Sequence, residues 1–283
     1  MSERIVVIGA GTMGNGIAGQ AAVCGYSVVL CDLNADRIEA GLAHIGKTYE
    51  KGVSKGKLDA ELAQEARTRL TTSLHIEAAV QDAVMVVEAV PEDMALKRKL
   101  MTTCAQHAPE EAILASNTSS LSITEIASAI SSPDRVVGMH FFNPVAVMKL
   151  VEIVRGEFTS DSTIAKTRTV AERMGKECIL VNDSPGFATS RLGITLGNEA
   201  MRMFEEGVAS AADIDKAMVL GYRHPIGPLA LTDLVGLDVR LAITEHLHRE
   251  IGTDTFRPPR ILRKMVRAGK LGRKSGQGFY TYD

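Results

Sequence analysis

The stretch RIVVIGAGTMG, residues 4–14, decides the fold. Its β-branched start predicts a strand, and the residues after the glycines predict a helix. Between the two lies Gly-x-Gly-x-x-Gly, in which Gly9 permits a tight turn, Gly11 lets backbone approach a pyrophosphate, and Gly14 lets helix and strand pack closely. The N–H groups that open the helix, at Thr12 and Met13, then face the anion. The stretch therefore predicts a dinucleotide-binding turn.

Asp32 supports this prediction, because it ends the second predicted strand, 18 residues after Gly14. A carboxylate at that place can accept hydrogen bonds from an adenosine ribose. It would also repel a 2′-phosphate, which favours NAD over NADP, although Arg37 lies close enough to temper that preference. FAD-binding proteins share the fingerprint, so this motif alone leaves NAD and FAD open.

Short β-branched runs alternate with helical patterns through the first two-thirds of the chain. This alternation predicts an α/β fold of the Rossmann type, with a doubly wound, mostly parallel sheet. A polar helical hairpin is predicted over Asn34–Leu70, with its turn near Gly52–Gly56, and Ser122 with Glu125 forms a capping box. The predicted strands are Arg4–Ile8, Ser27–Cys31, Ala83–Val90, Ala112–Ala115, Arg135–Met139, Lys149–Val154 and Glu177–Val181.

The turn-rich segment Asn182–Gly186 marks a domain boundary. We therefore expect an α/β domain over residues 1–183 and a smaller all-α domain over residues 184–283, with no strand before its last few residues. Its predicted helices are Phe187–Glu206, Ala211–Leu220, Pro228–Ile251 and Pro259–Ala268.

Composition excludes several classes of protein. A net charge of −2 argues against a general nucleic-acid binder, which needs a basic excess. No apolar run approaches the roughly 18 residues of a membrane span, and the N-terminus lacks the pattern of a signal peptide. The four cysteines form no CxxC pair and have no histidine at metal-ligand spacing. We therefore expect a cytoplasmic protein with reduced thiols and no bound metal.

Polar residues follow two of the predicted strands. His140 follows Arg135–Met139, at the edge where doubly wound sheets bind ligands, and Glu152 lies 12 residues later. Histidine with a carboxylate is a usual pair for removing an alcohol proton, although the spacing alone equally fits a structural histidine and an exposed glutamate. The segment Ser116–Ser120 follows another strand and could hold a substrate oxygen, or could be ordinary turn chemistry.

Taken together, these segments resemble the L-3-hydroxyacyl-CoA dehydrogenase family over essentially the whole chain, and most of all its bacterial 3-hydroxybutyryl-CoA members. The combination of HFFNP and VE with SNTSSL is the most specific part. The matching segments, in order, are the glycine turn with Asp32, Val87–Glu92, Ser116–Leu121, His140–Pro144, Met148–Glu152, Asp183–Phe187, His224–Pro228, Gly272–Lys274 and Gly278–Tyr280.

The resemblance implies an NAD-dependent enzyme that interconverts a 3-hydroxyacyl-CoA and its 3-oxo form in fatty acid or butanoate metabolism. His140 would be the general acid and base, and Glu152 would orient its ring. Ser119 and Asn143 would contact both the substrate oxygen and the nicotinamide end of NAD. The resemblance further implies cofactor contacts by Glu92, Lys97 and Lys274, and substrate contacts by Thr48, Lys55, Ser119 and Ser190.

Ser190 is a departure, because the family usually has asparagine at this place after the PGF motif. Physically, Thr48 and Lys55 belong to a stretch with Lys47, Lys51 and Lys57, a basic cluster suited to the 3′-phosphate of CoA or simply to a solvated helix face. A homodimer, formed through the second domain, is implied by the resemblance alone. Three alternatives stay open: another hydroxyacyl-CoA such as 3-hydroxyadipyl-CoA, a free hydroxy acid, or an NADH-binding structural or regulatory protein.

Overall fold

The structure, a computed structural model, describes residues 3–282. The chain divides between Asp183 and Ser184 into two compact units. The strands of the first unit are β1 (Arg4–Ile8), β2 (Ser27–Cys31), β3 (Leu70–Ser73), β4 (Met85–Glu88), β5 (Ile113–Ser116), β6 (Val136–Phe141), β7 (Leu150–Arg155) and β8 (Glu177–Asn182). They form one sheet in the order β3-β2-β1-β4-β5-β6-β7-β8.

Strands β1 to β6 are parallel, and β7 is antiparallel to β6. The reversal follows from the short connection between Phe141 and Leu150, since a parallel crossover needs a dozen or more residues. Strand β8 then pairs in parallel with β7. The predicted Rossmann-type, mostly parallel sheet is confirmed.

Helices flank this sheet, and their ends carry the expected caps. Asn34 and Asp59 cap the two helices of the predicted hairpin, and Ser122 Oγ accepts from the Glu125 N–H as the capping-box pattern predicts. The turn between the hairpin helices passes through Gly56 at φ +64°. The helices are α1 (Thr12–Val23), α2 (Ala35–Ser54), α3 (Ala60–Thr68), α4 (Ile76–Ala79), α5 (Met94–His107), α6 (Ile123–Ala127) and α7 (Asp161–Arg173).

The sequence prediction missed β3. Its residues, Leu-Thr-Thr-Ser, offer one apolar side chain and lie at the sheet edge, where both threonines are exposed. The predicted hairpin therefore ends at Thr68 rather than at Leu70. The strand predicted over Ala83–Val90 is shorter, at Met85–Glu88, and all four of its residues are buried.

The second unit is helical, with α8 (Thr189–Glu205), α9 (Ala211–Gly221), α10 (Pro228–Val235), α11 (Leu237–Ile251) and α12 (Arg260–Arg267). The prediction of one continuous helix over Pro228–Ile251 is wrong. Gly236 lies at φ +102°, a conformation outside the helical region that separates α10 from α11. In the last described residues, up to 282, the β-structure consists of isolated bridges from Gln277 to Gly272 and to Thr281.

A single buried carboxylate fixes the last described residues. Asp233, near the end of α10, accepts hydrogen bonds from the backbone N–H groups of Phe279 and Tyr280 and from the Tyr282 hydroxyl, each at 2.9 Å. Asp215 acts similarly at the start of α10, where it accepts from two backbone N–H groups. The fold of this unit therefore depends on aspartates that serve as acceptors for main chain.

Among the helices of residues 3–282, none is both long and apolar enough to cross a membrane.

Candidate functional site

The glycine turn has the geometry that its sequence predicts. Gly9 lies at φ +102°, and a Cβ there would be 2.6 Å from the Ala89 carbonyl oxygen. A Cβ on Gly14 would be 1.7 Å from the Gly9 oxygen, so the close approach of helix and strand requires both glycines. Above Gly11, in contrast, a Cβ would meet nothing within 4 Å. Gly11 is the N-cap of α1 and has no side chain to cap that helix, which leaves the first N–H groups of α1 facing this open space.

Asp32 follows β2 directly. Its two carboxylate oxygens accept from the backbone N–H groups of Ala10, at 2.9 Å, and Asn34, at 3.2 Å. The first bond joins Asp32 to the glycine turn itself. The acidic group is thus held beside that turn, as the motif predicts.

A buried ion pair lies next to the turn, and sequence reasoning named Lys97 as a cofactor contact without pairing it with Glu88. Glu88, the last residue of β4, accepts a hydrogen bond from the Nζ of Lys97 in α5, with 2.6 Å between nitrogen and oxygen. Lys97 is 1% exposed and Glu88 is completely buried. Glu88 also accepts from the Val90 N–H and the Ser116 hydroxyl, so its carboxylate is well satisfied. The sequence feature that could have indicated this ion pair is Glu88 itself, a charged residue in an otherwise apolar strand.

Glu92 extends this network to the Ser-Asn-Thr-Ser-Ser loop. One of its oxygens accepts from the Thr118 hydroxyl, the Ser119 N–H at 3.1 Å and the Ser120 hydroxyl. The other oxygen lies 3.3 Å from Lys97 Nζ. The loop that presents Ser119 is therefore fixed, through Glu92, to a lysine held inside the protein.

His140 and Glu152 face each other across the antiparallel strands β6 and β7, where they are register partners. His140 Nδ1 lies 2.7 Å from a carboxylate oxygen of Glu152, which is 0% exposed. The imidazole is buried as well, and the Phe142 ring packs at 4.5 Å from its centroid. The predicted pair therefore exists, although His140 is the penultimate residue of β6 and not a residue beyond its end.

The loop after β6 is held from two sides. Asn117 Oδ1 accepts from the Phe141 N–H at 2.9 Å, which ties the Ser116–Ser120 loop to the end of β6. The buried ammonium of Lys176 donates to the carbonyl oxygens of Val145 and Met148. Between these two attachments lies Asn143, which is exposed to solvent. Lys176 carried no signal in the sequence.

The predicted CoA contacts lie on α2, apart from this network. Lys55 is the exposed C-cap of α2, and the half-buried Thr48 bonds to the His44 carbonyl one turn earlier. Lys47, Lys51 and Lys57 are exposed too. The structure therefore presents the basic cluster to solvent on one helix and the turn that follows it.

Two predicted site residues belong to the second unit. Ser190 is half-buried at the start of α8. Lys274 is exposed, and its ammonium pairs with Asp238 of α11, 2.7 Å from one of the carboxylate oxygens. Both residues stay predicted contacts, for substrate and cofactor respectively.

Residues 4–184 match the NAD binding domain of 3-hydroxyacyl-CoA dehydrogenase, and residues 186–282 match the C-terminal domain of the same enzyme. The chain belongs to the 3-hydroxyacyl-CoA dehydrogenase family. The resemblance seen in the sequence motifs is thereby confirmed.

Full-length relatives support this membership. A probable 3-hydroxybutyryl-CoA dehydrogenase of Bacillus subtilis (strain 168) is 47% identical over 281 residues, covering 99% of this chain and 98% of the relative. The 3-hydroxybutyryl-CoA dehydrogenase of Clostridioides difficile is 44% identical, covering 99% of each. The crystal structure of (S)-3-hydroxybutyryl-CoA dehydrogenase from Ralstonia eutropha superposes with a TM-score of 0.95 at 42% identity, covering 100% of both chains.

NAD is the cofactor of this family's first domain, and the residues of the first unit fit it. The open space above Gly11 and the uncapped start of α1 suit a pyrophosphate, whose charge the helix N-terminus favours. Asp32, fixed beside the turn, suits the ribose hydroxyls. The ambiguity between NAD and FAD that the glycine motif leaves is thereby resolved in favour of NAD.

Proposed function

We propose that this dehydrogenase interconverts a short (S)-3-hydroxyacyl-CoA and its 3-oxoacyl-CoA, with 3-hydroxybutyryl-CoA and acetoacetyl-CoA as the simplest pair. His140 is the general acid and base in this proposal. The observation that carries it is the buried contact of 2.7 Å between His140 Nδ1 and Glu152. A carboxylate at that distance fixes the tautomer and orientation of the ring and stabilises the imidazolium that forms when the ring takes a proton.

Proton transfer then takes place at Nε2, because Nδ1 is committed to Glu152. In oxidation, Nε2 takes the proton of the 3-hydroxyl group while the hydrogen on C3 leaves with its electron pair. NAD, when bound, supplies the acceptor for that hydride. In reduction, the imidazolium returns the proton to the oxygen. The low polarity around the buried pair strengthens its electrostatic interaction.

Positioning of the reacting oxygen is assigned to Ser119 and Asn143 in this proposal, and Ser190 is proposed as a further substrate contact. Support comes from the network that fixes the Ser119 N–H to Glu92, and from the two attachments that hold the loop of Asn143. Preorganised polar groups cost little reorganisation during reaction. Ser190 has a shorter side chain than the family's asparagine, and a bridging water can complete its reach.

The test follows NADH absorbance with acetoacetyl-CoA for the wild type and His140→Ala. Loss of the general acid should lower kcat about 10²- to 10⁴-fold. His107→Ala, an exposed histidine on α5, is the matched control and should keep full activity. NADPH in place of NADH should support much slower turnover because of Asp32. Unchanged activity in His140→Ala would refute the assigned role.

We propose that the basic cluster on α2 holds the phosphates of CoA. Lys55→Gln should then raise KM for acetoacetyl-CoA several-fold and leave KM for acetoacetyl-pantetheine, which lacks the nucleotide, unchanged. Lys99→Gln, an exposed lysine on α5, serves as the control. Equal activity on free acetoacetate and its CoA thioester would instead favour a dehydrogenase of free hydroxy acids.

We also propose a homodimer in the cytoplasm. Several large apolar side chains of the second unit are exposed, among them Leu192, Leu220 and Tyr222, and such side chains often mark protein contacts. All four cysteines are free thiols, which fits a reducing compartment. Sedimentation equilibrium tests the dimer, and a concentration-independent monomer mass would exclude it.

A further inference from the structure

The loop between β6 and β7, residues 142–149, carries Asn143 and has one buried residue, Val145. Val145 is 3% exposed and packs in the hydrophobic core of the first unit, whereas Asn143 is exposed. Two main-chain hydrogen bonds of 3.0 Å to the Pro144 carbonyl oxygen close the loop into a tight turn. The position of Asn143 therefore depends on where Val145 is held, two residues later.

Val145 packs directly against Gly16 of α1. A Cβ on Gly16 would lie 2.9 Å from Val145 Cγ2 and 3.1 Å from Val145 Cβ, so this approach is possible only with glycine. Gly16 lies inside α1 and is not among the glycines at positive φ, so backbone conformation does not explain it. Glycine is also less favourable than alanine inside a helix. The close contact with the loop is thus the feature that requires Gly16.

Lys176 holds the same loop from another side. Its buried ammonium donates to the carbonyl oxygens of Val145 and Met148, the second at 2.9 Å. The main chain of Lys176 is fixed as well, because α7 ends in a Schellman motif. In this motif Gly175 lies at φ +73° and the Lys176 N–H bonds to the Ala171 carbonyl at 3.0 Å. The ammonium therefore extends from a rigid helix end.

A third contact joins that helix end to α1. Gln20 Nε2 donates to the Met174 carbonyl oxygen at 2.9 Å. Gln20 follows Gly16 by four residues, so both lie on the same face of α1. Helix α1, the end of α7 and the loop of Asn143 thus contact one another in pairs. The loop cannot shift along α1 without loss of at least one of these contacts.

We propose that Gly16, Val145 and Lys176 are positioning residues that fix the distance between the two ends of bound NAD. The start of α1 suits the pyrophosphate, and it lies about 6 Å along the helix axis from Gly16. The loop presents Asn143, the proposed contact of the nicotinamide end. This inference rests on the proposed function through that role of Asn143. Because the loop is held against the same helix, both contacts keep one separation.

A displaced loop should therefore affect the two ends of the cofactor differently. ADP-ribose contains the pyrophosphate and lacks the nicotinamide, so it needs only the α1 end of the site. NADH needs both ends, and its affinity depends on the preset separation between them. Hydride transfer is more sensitive still, because a misplacement of about 1 Å can lower its rate about 100-fold.

The first experiment uses Gly16→Ala and calorimetry without any acyl-CoA. We expect the Kd of NADH to rise about 5- to 10-fold, as for one lost hydrogen bond, and the Kd of ADP-ribose to stay unchanged. Single-turnover reduction of acetoacetyl-CoA at saturating NADH should fall about 10- to 100-fold. An equal loss of affinity for both ligands would show a general disturbance of α1 and would overturn the inference.

Gly19→Ala is the matched control on the same helix. A Cβ on Gly19 would lie 3.3 Å from Ile45 of α2 and would not meet the loop. This variant should keep the wild-type ratio of the two Kd values. Val145→Ala added to Gly16→Ala removes the Cγ2 atom that the new Cβ meets, and should recover part of the affinity for NADH.

Lys176→Met loosens the loop without a change in α1, and it keeps the test decisive if Gly16→Ala does not fold. It should likewise weaken NADH binding and leave ADP-ribose binding unchanged. A wild-type ratio of the two Kd values in this variant would overturn the inference. If the ratios change as expected while the wild type reduces no 3-oxoacyl-CoA, only the proposed function is rejected.

Discussion

Lys97 in the first unit and Arg240 in the second are both almost completely buried cations, and they differ in what faces them. Lys97 contacts Glu88 at 2.6 Å and Glu92 at 3.3 Å. Arg240 contacts one carbonyl oxygen and no carboxylate among residues 3–282. The chain thus supplies the counter-charge for the first cation and leaves the second without one.

The difference teaches how the partner of a buried charge indicates its role. When the anion belongs to the chain, the pair holds local structure, here the loop that carries Ser119. When no carboxylate of the chain is near, main-chain carbonyl oxygens take its place, those of Pro109 and Ala105 for the buried Arg135 and that of Gly193 for Arg240. The following substitutions test whether this distinction holds.

The largest expected effect is that of Lys97→Met. Removal of one partner leaves the Glu88 carboxylate buried and unpaired, which should lower the free energy of unfolding by about 3 to 5 kcal/mol. Urea denaturation followed by circular dichroism measures it, since the chain has no tryptophan for fluorescence. The exposed neighbour Lys99→Met is the control, and Lys97→Met with Glu88→Gln should recover much of the loss.

Arg135→Met should have an intermediate effect. The substitution leaves main-chain carbonyls that Arg135 now satisfies without their donor, at about 1 to 3 kcal/mol for each buried acceptor that water cannot reach. The same urea denaturation applies. An unchanged midpoint would show that carbonyl bonds do not stabilise this buried cation, and would weaken the contrast with Arg240.

Arg240→Met should change stability in the opposite direction. A hydrophobic side chain of similar length removes an uncompensated charge, and such replacements are neutral or stabilising, here by about 1 kcal/mol. Thermal unfolding is the appropriate test. A loss as large as that of Lys97→Met would mean that Arg240 is structural.

Lys176 gives the smallest and most specific effect, a dependence on pH. Burial lowers the pKa of its ammonium below the ordinary lysine value of 10.5, an effect that the nearby Cys24 partly offsets. The folded state therefore loses the proton at lower pH than the unfolded state, and the cost of the buried charge disappears as pH rises toward 10.5. Relative to Lys176→Met, the wild type should gain stability between pH 7 and 10. A constant difference would contradict this.

Much of the fold could be predicted because local signals and tertiary structure agree. The glycine turn, Asp32 beside it and the Ser122 cap all follow from short-range chemistry. Strand β3 could not, since its two threonines are exposed at the sheet edge and leave no periodic pattern. The break at Gly236 was hidden because an isolated glycine is tolerated inside many helical patterns.

The candidate site was predictable in part. His140 and Glu152 were named from residue type, but their contact depends on the antiparallel register of β6 and β7, which spacing does not show. The role of Glu88 depends on its contact with Lys97, which comes from helix α5. The role of Lys176 depends on its hydrogen bonds to the carbonyl groups of the loop after β6. Contacts between side chains on different strands, helices or loops are determined by tertiary packing, so the local sequence pattern does not reveal them.

Asp233 has a consequence for the order of events during synthesis. Its partners Phe279, Tyr280 and Tyr282 are translated 46 to 49 residues later. Until they emerge from the ribosome, the Asp233 carboxylate lacks these three donors, so the helical unit can dock that part of its core only after residues 279–282 have been made. A nascent chain stalled shortly before Phe279 should therefore remain sensitive to protease, even with all five helices already made.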